Sequence, residues 1–115
     1  MEQHMYPGVS KELAQKRREL APGIYGAFRT FSQRVFADGA LPSKTKQLIP
    51  AAVAHVTQCP YCIRGHTDLA LNKDATEQEI MEANWVAAEM RAGGAYAHST
   101  LAIDAMNHAE ARPGA

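Results

Sequence analysis

Cysteine is the scarcest chemically useful residue in this chain: two thiols in 115 residues. A bridge between two such close neighbours, Cys59 and Cys62, would constrain little of the unfolded chain, so a purely structural disulfide is a poor account of them. Net charge is also missing, because 12 basic residues balance 12 acidic ones. That balance gives no reason to expect nucleic acid or an anionic membrane as partner. No apolar run approaches the roughly 18 residues that a membrane span needs. The start, Met1-Glu2-Gln3-His4-Met5, has neither a basic nor an apolar leader region. The expected compartment is therefore the cytoplasm, where thiols stay reduced and a Cys-x-x-Cys is catalytic or metal-binding more often than structural. Repeats, linkers and low-complexity tracts are absent, and strand signals are few.

What remains is an alanine-rich helical pattern, and the chain reads as one all-α domain over residues 1–115. Ser10 caps a polar helix from Lys11 to Leu20, and Pro22-Gly23 interrupts it. Ile24 to Phe36 follows, with Ile24, Phe28, Phe31 and Val35 at helical spacing. Asp38-Gly39 and Leu41-Pro42 turn the chain. Ser43 is the expected cap of a helix from Lys44 to Thr57, with an apolar stripe at Leu48, Ile49, Ala52, Val53 and Val56. Pro50 inside it should kink that helix or start it late.

Pro60 demands a new start, since a continuous helix would drive its ring into the carbonyl of Val56. With Cys59 at the cap and Pro60 in the first position the conflict disappears, and the helix runs to about Leu71. Asn72-Lys73-Asp74 ends it. Thr76 and Glu79 form a capping box that opens a helix to about Arg91, with Ile80, Ala83, Ala87 and Met90 on its buried face. Gly93-Gly94 is expected to break the chain before a last helix from Ala95 to about Ala109, and Ala111 to Ala115 reads as a frayed tail. Trp85 and Met90 read as core or interface residues, and His98 and His108 as surface or interface ones.

The chemistry concentrates at Cys59-Pro60-Tyr61-Cys62 and His66. Positions three and four apart share a helix face, so two sulfurs and an imidazole converge. A cysteine at a helix N-terminus lies in the positive end of the helix dipole, which favours thiolate. Residues at i and i+3 on a first turn can cycle between dithiol and disulfide without large backbone movement. His66 can take or return a proton. Zinc is the competing use of the thiols, but a structural site needs four ligands, and this spacing fits no zinc-finger pattern. A metal is therefore not the expected use of the thiols. Tyr61, between the cysteines, reads as a packing residue at a subunit contact.

At these residues the sequence resembles the AhpD-like alkylhydroperoxidases of the carboxymuconolactone decarboxylase superfamily. The likeness is carried by Leu41 to Ile49, by Cys59 to His66, and by Ala75-Thr76-Glu77-Gln78-Glu79-Ile80, about half the chain. It implies an AhpD-like helical bundle, a homo-oligomer (trimer or hexamer), a small hydroperoxide as substrate, an external thiol as reductant, and no metal or organic cofactor. It also implies roles: Cys62 attacks the peroxide, Cys59 resolves, and His66 relays protons. The family's relay often includes a glutamate where this chain has Gln47, which cannot ionise. His55, four residues before Cys59, is the candidate substitute; its alternative use is a bond to a backbone carbonyl. The competing functions are a redox-responsive oligomeric binding module without turnover, and a lactone decarboxylase, whose family members do not rely on a Cys-x-x-Cys.

Overall fold

The structure, a computed structural model, describes residues 5–111. Among them are five helices and no strand: α1 (Lys11–Leu20), α2 (Pro22–Phe36), α3 (Ser43–Thr57), α4 (Pro60–Asn72) and α5 (Glu77–Glu110). The all-α expectation holds. Met1 to His4 and most of the expected C-terminal tail lie outside the described residues; Ala111 caps α5.

Each boundary has a local cause. The Ser10 side chain accepts from the Leu13 N–H and opens α1. Ala21 breaks the helical path, and Pro22 begins α2 at a first position that needs no N–H. Arg18 lies over the Tyr25 ring at 5.7 Å across that joint. Ser43 is not the cap of α3 but its first residue, and its N–H donates to the Asp38 carboxylate at 2.6 Å. The helix then runs through Pro50 to Thr57, so it does not start late. Gln58, in the left-handed conformation at φ 59°, closes α3, and α4 begins two residues on. Asp74, at φ 66°, turns the chain after α4, and the reciprocal Thr76–Glu79 capping box opens α5.

One expected boundary is absent. Gly93-Gly94 does not break the chain; α5 is one helix of 34 residues. Glycine inside a helix costs about 1 kcal/mol relative to alanine, which weakens a helix without ending it. Here alanines flank the pair, and no proline or capping residue offers the second segment a start of its own.

α3 and α4 form an antiparallel hairpin, whereas α3 and α5 run side by side in the same direction. Two polar clips fix that parallel pair. Lys44 Nζ meets Glu79 Oε1 at 3.0 Å at one end, and Arg91 donates to the Val56 carbonyl at 3.0 Å at the other. The Glu79 carboxyl is held below its usual range, chiefly by the Thr76 backbone N–H and then by Lys44.

Burial follows small residues. Ala51, Ala54 and Gln47 lie buried on one stripe of α3, and Ala70, Ala75 and Ile80 form a cluster where α4 ends and α5 begins, with Leu48 packed against it. Alanine lets helix backbones approach closely but contributes little apolar area. No large side chain among the described residues is fully buried. Of the expected apolar stripe of α3 only Leu48 packs on this cluster; Leu48, Ile49, Ala52, Val53 and Val56 together line an open groove with Ala83 and other residues of α5. Met90, expected on a buried face, is largely exposed, and so is Trp85.

Candidate functional site

The site sits at the corner between α3 and α4, and one residue makes that corner. The Cys59 N–H donates to the Ala54 carbonyl at 3.1 Å, finishing α3. Its own side chain then caps α4: the Cys62 N–H donates to Cys59 Sγ at 3.2 Å. A sulfur here does what a serine or aspartate oxygen does at most helix starts. Pro60 follows in the first helical position, as its fixed φ favours. Both cysteines are free thiols and half-buried.

The two thiols are driven apart in acidity. A hydrogen bond from the Cys62 side chain lowers the Cys59 pKa, and the Cys62 backbone N–H adds to it. The same thiol–thiol bond raises the Cys62 pKa, with burial and the charge of its neighbour acting in the same direction. The pair thus favours the charge on Cys59, whose sulfur also accepts the Cys62 N–H.

His66 lies one turn beyond Cys62. Its Nδ1 is 2.9 Å from Gln47 Oε1, across the α3–α4 hairpin. An amide oxygen can only accept, so Nδ1 carries the proton, and Nε2 is left with a lone pair. Burial lowers the His66 pKa, which keeps the ring neutral at physiological pH. Phe36, the last residue of α2, packs on the imidazole with ring centroids 5.3 Å apart. The result is an oriented, neutral imidazole whose free nitrogen can accept a proton.

Gln47 is the one buried polar residue among those described, 5% exposed. An amide suits that position, because a carboxylate there would need to offset the cost of a buried charge. His55 stands apart from the pair. Its Nδ1–H donates to the Ala51 carbonyl at 2.7 Å, one turn back in its own helix. Its ring lines a shallow pocket of about 350 Å³ with Gln58, Pro60, Ile63 and Arg64. Tyr61 turns the other way and meets Tyr6 edge-on at 5.9 Å.

The structure thus brings together four of the five residues singled out in the sequence: Cys59 with Cys62, and His66 with Gln47. His55 makes no hydrogen bond to any of them. Phe36 is the contributor that the sequence did not reveal, since a phenylalanine at a helix end carries no signal of what it will touch. Among the described residues no three His, Cys, Asp or Glu side chains gather closely enough to hold a metal ion.

Known proteins resemble this chain in sequence or in fold. A protein of the Paracoccus denitrificans cox locus, itself uncharacterised, is 57% identical over 97 residues, covering 84% of this chain and 86% of the relative. An uncharacterised protein of Cupriavidus necator is 37% identical over 89 residues, covering 75% and 79%. Among solved structures, an apo carboxymuconolactone decarboxylase family protein from Legionella pneumophila superposes with a TM-score of 0.66 at 35% identity, over 69% of this chain and 70% of that one. A protein from Methanobacterium thermoautotrophicum gives 0.72 at 33% identity, over 78% and 98%. The sequence profile of the carboxymuconolactone decarboxylase family matches residues 22–105, and the chain belongs to that family.

Proposed function

We propose that this protein is a thiol-dependent peroxidase that reduces small hydroperoxides through Cys59 and Cys62. The observation that carries the reading is the thiol pair at the start of α4, with a neutral, oriented imidazole one turn away. In the first step the Cys62 thiolate attacks the terminal peroxide oxygen, the O–O bond breaks, and the alcohol leaves with a proton. Cys62 becomes a sulfenic acid. Cys59 then attacks that sulfur, the disulfide forms and water departs. An external dithiol supplies two electrons and two protons to restore the pair.

The acidity order sets a requirement on this cycle. Cys59 ionises first, so Cys62 becomes the attacking sulfur only when its own proton is drawn off. His66 Nε2 has the protonation state for that task, and Gln47 holds the ring in the matching tautomer. Both are positioned without a carboxylate. His55 is the remaining candidate base, with Nδ1 committed to a carbonyl. The working unit in this reading is a homo-oligomer.

Hydroperoxide consumption with a dithiol reductant tests the proposal. Turnover is expected in the native protein and lost in Cys62→Ser. Native turnover no faster than that variant overturns it. His55→Ala separates the two bases: an unchanged rate at every pH leaves His66 as the base. The second reading, a redox-responsive module, is favoured by the amide at Gln47. It predicts a change in assembly on oxidation, with negligible turnover.

A further inference from the structure

Phe36 is the side chain by which α2 reaches the thiol corner. Of the three phenylalanines in the chain, Phe28 and Phe31 are each 64% exposed, whereas Phe36, the last residue of α2, is half-buried. Its ring lies on His66 with centroids 5.3 Å apart and planes tilted by 38°. The imidazole is thus held from two helices. Gln47 Oε1 accepts the Nδ1 proton from α3, and Phe36 covers a ring face from α2.

Packing alone does not fix Phe36, which borders an open hollow of about 340 Å³ with Val35, Lys46, Ile49, Pro50 and Val53. The residue before Gln47 supplies the tether. Lys46 Nζ donates to the Ala37 carbonyl at 2.8 Å. Ala37 caps the C-terminal end of α2, where carbonyls lack intrahelical donors and the helix dipole favours a cation. The turn is tied at its other end too, since the Asp38 carboxylate accepts the Ser43 N–H at the start of α3. Neighbouring residues on a helix point about 100° apart. So α3 grips α2 with Lys46 and His66 with Gln47.

We propose that Phe36 and Lys46 are positioning residues for the thiol site: Lys46 pins the end of α2 to α3, and Phe36, so pinned, seats the His66 ring against Gln47 and keeps water from one face of it. The inference rests on His66 as the proton acceptor of the proposed peroxidase and deepens it by carrying the site onto a third helix. Both residues act through His66 and not on the sulfurs. A bare ring face admits water, which favours the imidazolium over the neutral ring that accepting a proton requires.

NMR titration of the His66 ring resonances, assigned with His66→Gln, tests this without any peroxide, in native, Phe36→Ala, Phe36→Leu and Lys46→Met chains. In Phe36→Ala the lowered His66 pKa is expected to rise toward its ordinary value of 6.5. Phe36→Leu keeps an apolar cover and is expected to restore much of the native titration. Lys46→Met keeps the aliphatic stem, loses the donor, and is expected to shift the ring in the same direction by less. An unchanged His66 in Phe36→Ala overturns the proposal, and so does a fall, which would mean that the phenyl face favours the cation. A native titration in Lys46→Met overturns the tether alone. Peroxide turnover then separates positioning from a merely structural role. Phe36→Ala is expected to lose about threefold more rate at about pH 6 than at about pH 8. An equal loss at both overturns the proposal. A native chain without turnover overturns the peroxidase reading, and the titration still decides whether Phe36 and Lys46 seat the ring.

Discussion

The α3–α4 hairpin and the far half of α5 are both helical and rich in alanine, and they differ in what holds them. The hairpin is knit by specific contacts: a sulfur capping a helix, an amide oxygen holding an imidazole, and alanines allowing close approach. The far half of α5 has no polar bond to another element among the described residues; His98 bonds to the Gly94 carbonyl and His108 to Asp104, each one turn back in the same helix. The difference teaches that helix formation and burial are separate achievements. Local propensity builds both segments, whereas a single chain finishes only one of them.

The contrast can be broken at its two isoleucines. Ile80 is 6% exposed and Ile103 is 55% exposed within one chain. Ile80→Ala is expected to cost about 2–4 kcal/mol in chemical denaturation at any protein concentration. Ile103→Ala should cost little in a monomer but a comparable amount in the assembly, with a midpoint that rises with concentration. Equal, concentration-independent losses for both would erase the contrast.

Gln47 comes next. Gln47→Leu removes the acceptor for His66 Nδ1–H, and peroxide turnover is expected to fall about tenfold or more, with the assembly mass unchanged. Gln47→Glu should raise the His66 pKa by placing an opposite charge beside it, which titration of the ring resonances would reveal. A smaller effect is expected at Gly94, where an added Cβ meets nothing within 4 Å. Gly94→Ala should stabilise α5 by about 0.5–1 kcal/mol, read as a higher melting temperature.

The smallest effect is a pH dependence. His66 has a native pKa below its ordinary value of 6.5, so the unfolded chain binds the proton more readily. Its contribution to stability is therefore complete above about pH 6.5. It declines as pH falls toward the lowered native pKa and then levels off. Denaturation midpoints across that window, native against His66→Gln, check the sign.

Much of this was legible in the sequence because the signals were local. The Ser10 cap, the Thr76–Glu79 box and the Pro60 start each act within one turn, and each appears where its chemistry demands. The pairing of Cys59 with Cys62 was legible for the same reason. The Gln47–His66 bond spans 19 positions and needs the hairpin to form. Helical periodicity located apolar stripes on α2, α3 and α5 but could not say what faces them, since the same pattern serves a core and an interface. Gly93-Gly94 misled because glycine lowers helix stability by an amount that flanking alanines can offset.

The corner at Cys59 has a consequence for signalling between the thiols and the fold. One backbone N–H there completes α3, and one sulfur opens α4. As a thiolate that sulfur is a strong acceptor for the Cys62 N–H; in a disulfide it is neutral and a weak one. The oxidation state of the pair is thus written into the first turn of α4, where the redox couple and the helix cap are the same atom.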